Sequence, residues 1–423
     1  METAPGKEQV ILVGVVGPGN DKTEVEETLD ELANLAESAG AEVSEIIFQN
    51  VKQYDPASHI GKGKAEEIAR YIRENGADAV IFDNDLTPAQ VKNLSGIFKR
   101  KVIDRTGLIL EIFAQNAKTR ESKTQVEMAL LEYQLPRLTG QWTHLERQVG
   151  GIGVRGPGET QLETDRRIVR RRMKKLAVDL DSIEKQRSIR RVRRRNIYKA
   201  TIVGYTNAGK STLFNTLTQA GARVEDSLFA TLDSTVRRLE LANGKILLLG
   251  DTVGFIRKLP HSLIASFRST FGVVRDADLL LHLVDLSHEH YDHHIESVNA
   301  VLKEMGLERI PVILLFNKID LVKDDNVMMQ AKINYPYAVF ISASRGVGIA
   351  KLIETISKRA AEGFTIREFK IPVNDTRSIS RLYEMGQVLD QTYNDSFTII
   401  NVRLSARNAA KFDSLANQSA GEP

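Results

Sequence analysis

The stretch Gly204-Tyr-Thr-Asn-Ala-Gly-Lys-Ser211 decides how the middle of this chain is read. It matches the pattern G-x-x-x-x-G-K-[ST], in which backbone N–H groups wrap phosphates at the N-terminus of a helix. The apolar residues Ala200–Val203 precede it and the helix-forming residues Ser211–Ala220 follow it. Strand, loop and helix in this order are the context that the motif requires, so the stretch predicts a phosphate-binding loop in a parallel α/β sheet.

Each position of this loop has an expected part in nucleotide binding. Lys210 is expected to neutralise charge on the β- and γ-phosphates, and the Ser211 hydroxyl is expected to ligate Mg²⁺. The residues expected to line the nucleotide here are Gly204, Tyr205, Thr206, Asn207, Ala208, Gly209, Lys210, Ser211 and Thr212.

Three further motifs follow in a fixed order and identify the base. Asp251-Thr-Val-Gly254 ends an apolar run, which suits Asp251 to Mg²⁺ and the Gly254 N–H to the γ-phosphate. The Asp320 carboxylate of Asn317-Lys-Ile-Asp320 would accept hydrogen bonds from guanine N1 and N2, whereas adenine would leave it unpaired. Ser342-Ala-Ser344 supplies backbone contacts to the base oxygen. The predicted ligands are GTP or GDP with Mg²⁺, and the added contact residues are Asp251, Thr252, Val253, Gly254, Asn317, Lys318, Asp320, Ser342, Ala343 and Ser344.

The segment Ser227–Thr235 lies where a switch loop belongs. Such a loop needs one hydroxyl that reaches Mg²⁺ only when the γ-phosphate is present. Thr231 is the favoured residue and Thr235 the alternative. The predicted metal ligands are Ser211, Thr231 and Asp251, and the predicted catalytic residues are Lys210, Thr231 and Gly254.

Phe255 follows Gly254 at the position where Ras-like enzymes carry a water-orienting glutamine. A phenyl ring cannot orient or deprotonate water. We therefore expect slow intrinsic hydrolysis, with the missing group or ordering supplied by a partner. Arg257 and Lys258 are read as solvated charges, with a cation acting in cis on the nucleotide as the alternative.

The alternation of apolar and amphipathic stretches predicts an α/β fold with four parts. Residues 1–105 form an N-terminal α/β subdomain, and residues 106–196 a long antiparallel helical arm with a Gly-rich loop. Residues 197–362 form a P-loop GTPase domain, a parallel-rich sheet with helices on both faces. Residues 363–423 form a small C-terminal α+β domain. The pattern predicts unbroken helix from about Thr106 to Leu135.

Composition limits the class of protein. Hydrophobic content of 42% and charged content of 27% are ordinary for a globular chain of 423 residues. No apolar run is long enough to span a membrane, and no signal peptide is evident, which leaves only peripheral membrane association open. The chain has no cysteine, which excludes disulfides and thiol nucleophiles. We expect a cytoplasmic monomer.

Basic charge is concentrated in one segment. Asp165–Arg195 holds 14 Lys/Arg and 4 Asp/Glu, a net charge of +10, so the rest of a chain of net charge +3 carries −7. Like charges on neighbouring helical positions disfavour an isolated helix, which favours a nucleic-acid partner over a merely solvated face.

The Gly-rich stretch Arg147–Thr160, RQVGGIGVRGPGET, precedes the basic segment and contains G-x-G-x-x-G. The preceding residues are polar and form no strand, so a dinucleotide site is disfavoured. Bare backbone, guanidinium groups and one tryptophan suit insertion against folded RNA, with a plain flexible hinge as the alternative. The predicted RNA-binding residues are Trp142, Arg147, Gly151, Gly153, Arg155, Gly156, Arg166 and Arg167.

Two other stretches of the sequence resemble ligand-binding motifs. Gly14–Thr23 resembles a phosphate-binding loop, but Asn20 stands where the lysine belongs, so an ordinary strand-to-helix turn is favoured. His288–His294 is rich in histidine, but its position between a strand and a helix favours a solvated loop over a metal site.

The order of motifs resembles the HflX family of ribosome-associated GTPases over about residues 10–360. Besides the GTPase motifs, the resemblance is carried by His59-Ile-Gly-Lys-Gly-Lys64, Asp104-Arg-Thr106, Ile112-Phe-Ala114, Leu135-Pro-Arg-Leu138, Arg147–Arg167 and Phe229-Ala-Thr-Leu-Asp233. The chain departs from the family pattern at Ser234, where proline is common, and its C-terminal tail matches weakly.

The resemblance implies GTP-dependent binding to the large ribosomal subunit and its rRNA. It also implies splitting of stalled or idle ribosomes under stress, hydrolysis stimulated by the ribosome, and a loop at residues 141–158 that reaches rRNA. Two other hypotheses remain open: a regulatory GTP switch that binds a protein partner, and an ATP-dependent RNA remodeller built on the N-terminal domain.

Overall fold

The computed structural model describes residues 7–19, 21–138, 158–192, 197–218, 229, 235–241, 246–258, 272–362, 364–394, 396–405, 409 and 412. The chain forms two compact units. The first unit contains Met1–Asp181, Asp226–Asp233 and Arg257–Arg268, and the second contains Ser182–Glu225, Ser234–Ile256 and Ser269–Pro423.

The first unit is built on a four-stranded parallel sheet in the order β2-β1-β3-β4. Its strands are β1 (Gln9–Val16), β2 (Glu42–Asn50), β3 (Ala79–Phe82) and β4 (Lys101–Asp104), with helices α1 (Lys22–Ser38), α2 (Lys62–Asn75) and α3 (Pro88–Phe98) between them. The strand order reverses between β1 and β3, which are neighbours although β2 separates them along the chain. In doubly wound sheets the crevice at the carboxyl ends of such a pair is the usual ligand site.

Local sequence explains where these elements begin and end. Thr87 caps α3 through a capping box with Gln90, and Pro88 occupies the first turn, where its missing N–H has no cost. Gly76 ends α2 in the left-handed conformation that glycine adopts readily. The apolar faces of α2 and α3 then pack on β1 and β3.

Three helices follow in the region predicted as the helical arm: α4 (Arg105–Asn116), α5 (Arg120–Gln134) and α6 (Gly158–Val192). The expectation of unbroken helix from Thr106 to Leu135 is wrong. Ala117 is extended, and the Thr119 hydroxyl accepts from the Ser122 N–H, so a new helix starts after α4 ends. Arg172 of α6 forms a bidentate ion pair with Glu127 of α5, at 2.6 and 2.8 Å.

The second unit contains a six-stranded sheet in the order β10-β9-β8-β5-β7-β6, in which only β6 runs antiparallel to its neighbour among the described pairs. The strands are β5 (Tyr198–Gly204), β6 (Val236–Glu240), β7 (Ile246–Gly250), β8 (Leu279–Asp285), β9 (Val312–Asn317) and β10 (Val339–Phe340). The helices are α7 (Lys210–Thr218), α8 (Gly272–Arg275), α9 (Tyr291–Glu304), α10 (Asp325–Asn334) and α11 (Ile349–Glu362). Apolar clusters lie under α7 and α11 and separately under α9 and α10, so helices cover both faces as predicted.

The C-terminal residues form a small α+β structure with its own core. Strands β11 (Phe364–Pro372), β12 (Gly386–Tyr393) and β13 (Phe397–Ser405) make an antiparallel sheet with β13 in the centre. Helix α12 (Thr376–Met385) contributes Leu382 and Met385 to the same apolar cluster as β13. The predicted fold class is therefore confirmed.

Candidate guanine-nucleotide site

The predicted phosphate-binding loop connects β5 to α7, as its sequence requires. A Cβ on Gly204 would lie 2.2 Å from the Leu283 carbonyl oxygen, so only glycine fits beside β8. Gly209 has a φ of +91°, and a Cβ there would lie 2.5 Å from Asn317 Nδ2. The two glycines of the motif thus bring backbone against neighbouring strands and leave the loop's N–H groups around the start of α7.

Lys210 is the first residue of α7 and is 7% exposed. Its Nζ donates to the Tyr205 carbonyl at 2.5 Å, across the turn of the loop. Burial lowers the pKa of Lys210 to about 8, Asp251 opposes the shift and Lys318 adds to it. A buried ammonium group at the start of a helix is an electrostatic site for a strongly anionic ligand, which would stabilise the charged form further.

The predicted magnesium ligands Ser211 and Asp251 lie together. The Ser211 hydroxyl donates to Asp251 Oδ2 at 3.2 Å, and the Thr252 N–H donates to Asp251 Oδ1 at 2.9 Å. Burial raises the pKa of Asp251, while Lys210 and these hydrogen bonds act against the shift. A hydroxyl and a carboxylate on one side of the phosphate loop are hard oxygen ligands, which fits Mg²⁺. The third predicted ligand, Thr231, lies outside the described residues.

Gly254 and Phe255 run beside the phosphate-binding loop. The Phe255 N–H donates to the Gly204 carbonyl at 3.0 Å, and the Thr206 N–H donates to the Phe255 carbonyl at 2.8 Å. A Cβ on Gly254 would lie 2.8 Å from Thr206 Cγ2 and 3.0 Å from Lys210 Nζ. The Phe255 side chain is 1% exposed, so it is packed and presents no polar group to a water.

The base-reading motifs meet through Asn317, which is 2% exposed. Its Nδ2 donates to the Ala208 carbonyl at 2.8 Å, and its Oδ1 accepts from the Ala343 N–H at 2.9 Å. Asn317 therefore connects the phosphate-binding loop to the Ser342–Ser344 segment. Lys318 has a φ of +59° and forms an ion pair with Asp285 at 2.8 Å.

Asp320, the predicted guanine reader, lies beside the same segment. Its pKa is lowered, first by a hydrogen bond from Ser342 and also by Arg345, so the carboxylate is held in its anionic form. Arg345 Nε donates to Asp320 Oδ2 at 3.0 Å. Sequence reasoning missed Arg345, although its position directly after Ser342–Ser344 is a usable signal.

Two histidines near the loop were also missed. The His294 ring stacks on Tyr205 of the phosphate-binding loop, with centroids 3.9 Å apart and planes at 9°. His282 lies on β8 opposite Val203 of β5 and is 2% exposed. Burial lowers the pKa of His282 to about 4, with a further contribution from Lys210. The His-rich segment gave no sequence signal for stacking on a distant loop.

Arg257 and Lys258 are not the solvated charges expected from sequence. In the first unit Arg257 forms an ion pair with Glu27, at 2.6 Å, and both side chains are 18% exposed. Lys258 forms an ion pair with Asp83 at 2.6 Å. The reading as solvated charges is therefore wrong, because complementary carboxylates that are far away in sequence lie beside both residues.

Two of the predicted RNA-binding residues fall on a described element. Arg166 and Arg167 lie on α6, half-buried and exposed respectively. The others, Trp142, Arg147, Gly151, Gly153, Arg155 and Gly156, lie outside the described residues. Among the described helices, none is both long enough and apolar enough to cross a bilayer.

Three family models match consecutive parts of the chain: a GTP-binding GTPase N-terminal region at residues 26–114, a GTP-binding GTPase middle region at 116–194, and a 50S ribosome-binding GTPase domain at 199–318. Together they span the motifs that carry the nucleotide site up to Asn317.

Curated relatives match over most of their length. The GTPase HflX of Escherichia coli is 45% identical over 365 residues, covering 86% of each chain. The GTPase HflX of Magnetococcus marinus is 41% identical over 408 residues, covering 96% of this chain and 94% of that one. A solved GTP-binding protein from Sulfolobus solfataricus in complex with GDP has 25% identity and a TM-score of 0.43, covering 84% of this chain and 99% of that one. With the HflX relatives, the family models and this site, the chain belongs to the HflX family of GTPases and is a GTP-hydrolysing enzyme.

Proposed function

We propose that this GTPase binds the large ribosomal subunit in its GTP-bound form, contacts rRNA, and dissociates stalled or idle ribosomes under stress. The observation that supports this most is a guanine-nucleotide site on a chain whose GTPase domain matches the 50S ribosome-binding family. We further propose that it acts as a monomer in the cytoplasm.

Nucleotide capture follows from the placement of charge and hydrogen-bond donors. The loop's N–H groups and Lys210 would hold the β- and γ-phosphates, and Asp320 would select guanine. Ser211, Asp251 and the sequence-predicted Thr231 would hold Mg²⁺, which when bound neutralises phosphate charge. Movement of the Gly254 N–H toward the γ-phosphate would make the bound state depend on GTP.

Hydrolysis would be slow without a partner. Phe255 is packed and carries no group that can orient the attacking water. The free protein would therefore retain GTP. The ribosome would supply the missing group or ordering, and bound GTP would then be hydrolysed. This arrangement makes ribosome contact the event that ends the GTP-bound state.

The basic segment is the element best suited to the ribosome. Helix α6 carries Arg166, Arg167 and further basic residues whose charges phosphates would screen. The predicted RNA-binding loop precedes α6 along the chain. Binding that neutralises phosphates releases counterions, so it weakens steeply as salt rises.

The test is co-sedimentation with separated ribosomal subunits, with GDP or a non-hydrolysable GTP analogue, at about 50 and 200 mM salt. We expect binding to the large subunit with the analogue, little binding with GDP, and at least a ten-fold loss of affinity across this salt range. A light-scattering assay on intact ribosomes then measures splitting.

Two results would count against the proposal. Equal binding with GDP and the analogue would remove nucleotide dependence, and salt-insensitive capture of a protein partner would favour a regulatory switch. Binding without any change in light scattering would restrict the function to association.

A further inference from the structure

The histidine-rich segment His288–His294 holds four of the eight histidines of the chain. It connects β8 to the first turn of α9. Strands β5 and β8 are parallel neighbours, so the segments that follow them emerge at the same edge of the sheet. The histidines and the phosphate-binding loop therefore meet within the second unit.

His294 reaches the phosphate-binding loop because of its position on α9. Tyr291 and Val298 are buried on the apolar side of this helix. His294 follows Tyr291 by three positions and precedes Val298 by four, so it borders that side. Its ring stacks on the Tyr205 ring, with centroids 3.9 Å apart and planes at 9°. Tyr205 is 6% exposed, so the stack is a packed contact.

A second histidine supports the same ring. The centroid of the His288 ring lies 4.3 Å from that of the His294 ring, and the two planes are at 47°. His288 Nδ1 accepts from the His290 N–H at 3.1 Å, which fixes the His288 ring in the turn before α9. His294 thus contacts one ring of the phosphate-binding loop and one of its own segment, and both restrain its rotamer.

The backbone of Tyr205 carries this contact into the phosphate site. Its carbonyl accepts from Lys210 Nζ at 2.5 Å. An ammonium group has three donors, so this bond sets the direction of Nζ and leaves two donors for phosphate oxygens. Lys210 is buried, so water is not a ready replacement for the carbonyl. The Tyr205 carbonyl thus orients the cation that is expected to meet the β- and γ-phosphates.

The peptide group between Tyr205 and Thr206 uses both of its polar atoms. Its carbonyl meets Lys210, and its N–H donates to the Phe255 carbonyl at 2.8 Å. A shift of the Tyr205 main chain would disturb both hydrogen bonds. The stack on His294 is a side-chain contact that opposes such a shift.

We propose that His294 is a positioning residue for the phosphates of the nucleotide. It holds the Tyr205 ring, and the Tyr205 carbonyl in turn holds Lys210 Nζ where the β- and γ-phosphates bind. His288 supports His294 in this position. The proposal rests on phosphate binding by Lys210, which belongs to the proposed function, and it is independent of ribosome binding. Every contact that it uses lies within the second unit.

The test is nucleotide binding by the full chain without ribosomes. Fluorescent-nucleotide titration gives the Kd for GDP and for a non-hydrolysable GTP analogue, and competition gives the Kd for GMP, which lacks the β-phosphate. We expect His294→Ala to bind GDP and the analogue about five-fold more weakly, as the loss of one ring stack allows. The Kd for GMP should stay within about two-fold, because Lys210 acts on the β- and γ-phosphates.

Two further variants test the stack itself. His294→Phe keeps a flat ring and should bind all three nucleotides within about two-fold of the wild type. Tyr205→Leu removes the ring and keeps the carbonyl, so adding His294→Ala to it should cause no further loss. His293→Ala is the matched control, because His293 is exposed on the same turn and its ring stacks on His290. His294→Leu, which keeps apolar volume without a flat ring, carries the test if His294→Ala does not fold.

Four results would overturn the proposal. They are unchanged affinity for GDP in the folded His294 variants without a ring, equal losses for GDP and GMP, no rescue by His294→Phe, and the same loss in His293→Ala. Additive losses from Tyr205→Leu and His294→Ala would count against it as well. Lys210→Ala tests phosphate capture separately. Unchanged affinity for GDP in Lys210→Ala would contradict the proposed capture itself, whereas a loss there without one in His294→Ala contradicts only the positioning role.

Discussion

In both the four-stranded and the six-stranded sheet, the first strand is followed by a glycine-rich turn and a helix, but the two turns differ in the charge that they present. In the second unit the turn after β5 leads to Lys210, a buried cation at the start of α7. In the first unit the turn after β1 leads to Asp21, whose carboxylate accepts from the Thr23 N–H and caps α1. An acid at this position occupies the helix N-terminus that a phosphate would need. The same topology therefore offers a buried cation to an anionic ligand in one unit and a carboxylate in the other.

Packing around the turn after β1 shows the same contrast. A Cβ on Gly17 would lie 2.1 Å from the Tyr54 hydroxyl, so the turn after β1 packs against a side chain of its own unit. Asp83, which follows β3, forms an ion pair with Lys258 of the same unit. Glycine spacing alone thus indicates close approach of the backbone, and the charge of the following residues decides what approaches.

The largest effect on GTP hydrolysis is expected at Lys210, and it should distinguish this lysine from Lys22, which follows the turn after β1. Lys210→Ala should lower GTP hydrolysis about 1,000-fold, because it removes the buried cation from the phosphate site. Lys22→Ala is the matched control in the first unit, where Lys22 is exposed and paired only with Glu26 among the described ion pairs. Hydrolysis assays with GTP and with ATP measure both variants.

If Lys22→Ala also lowered GTP hydrolysis, the contrast between the two turns would not hold. ATP turnover that survives Lys210→Ala and depends on Lys22 would instead assign nucleotide chemistry to the first unit and favour an RNA remodeller.

Asp320→Asn should lower affinity for GDP about 100-fold, because two hydrogen bonds from guanine to a carboxylate are lost. The amide would instead donate to the C2 oxygen of xanthine, so affinity for xanthosine diphosphate should rise. Competition binding against labelled GDP measures both. Asp285→Asn is the control, since it alters the ion pair with Lys318 and keeps Asp320. A uniform loss for both bases would contradict a role in base selection.

The stability of the two units should also respond differently to a fall in pH. Asp83 is buried but paired, and its lowered pKa means that its contribution to stability is lost only as the pH falls below about 4. His282 is buried with no hydrogen-bond partner for Nε2 among the described residues, and its pKa is lowered to about 4. The unfolded chain binds a proton at this histidine below about pH 6.5 while the folded chain does not, so stability falls between about pH 6.5 and 4.

His282→Leu should remove about 3 kcal/mol of this pH-dependent loss. Urea unfolding at pH 7 and pH 4.5 measures it, with the exposed His293→Leu as the control. An unchanged pH dependence in His282→Leu would show that other groups cause the acid sensitivity.

The smallest effect is expected at Arg345, whose side chain is 69% exposed. Because Arg345 donates to the oxygen of Asp320 that guanine also needs, Arg345→Gln should strengthen GDP binding about two-fold. Stopped-flow release of labelled GDP measures the change, with the exposed Arg359→Gln as the control. Weaker binding would mean that Arg345 supports the base instead of competing with it.

Motif spacing predicted the sheet, the phosphate-binding loop and the order of its partners, because those features follow from strand alternation and local backbone needs. It could not predict the fate of Arg257 and Lys258, since their carboxylate partners are about 175 to 230 positions away. The break before α5 was missed for a local reason: Thr119 can continue a helix or cap one, and the pattern of apolar residues is compatible with both.

Asn317 places a constraint on how affinity is distributed across the nucleotide. Its amide nitrogen bonds to Ala208 in the phosphate-binding loop and its amide oxygen bonds to Ala343 in the base-reading segment. A shift of either segment therefore breaks its hydrogen bond to Asn317. We therefore expect guanine and phosphate not to be recognised as two independent fragments. A base that fits badly should also weaken phosphate binding, so we expect discrimination against the wrong nucleotide to exceed what contacts to the base alone provide.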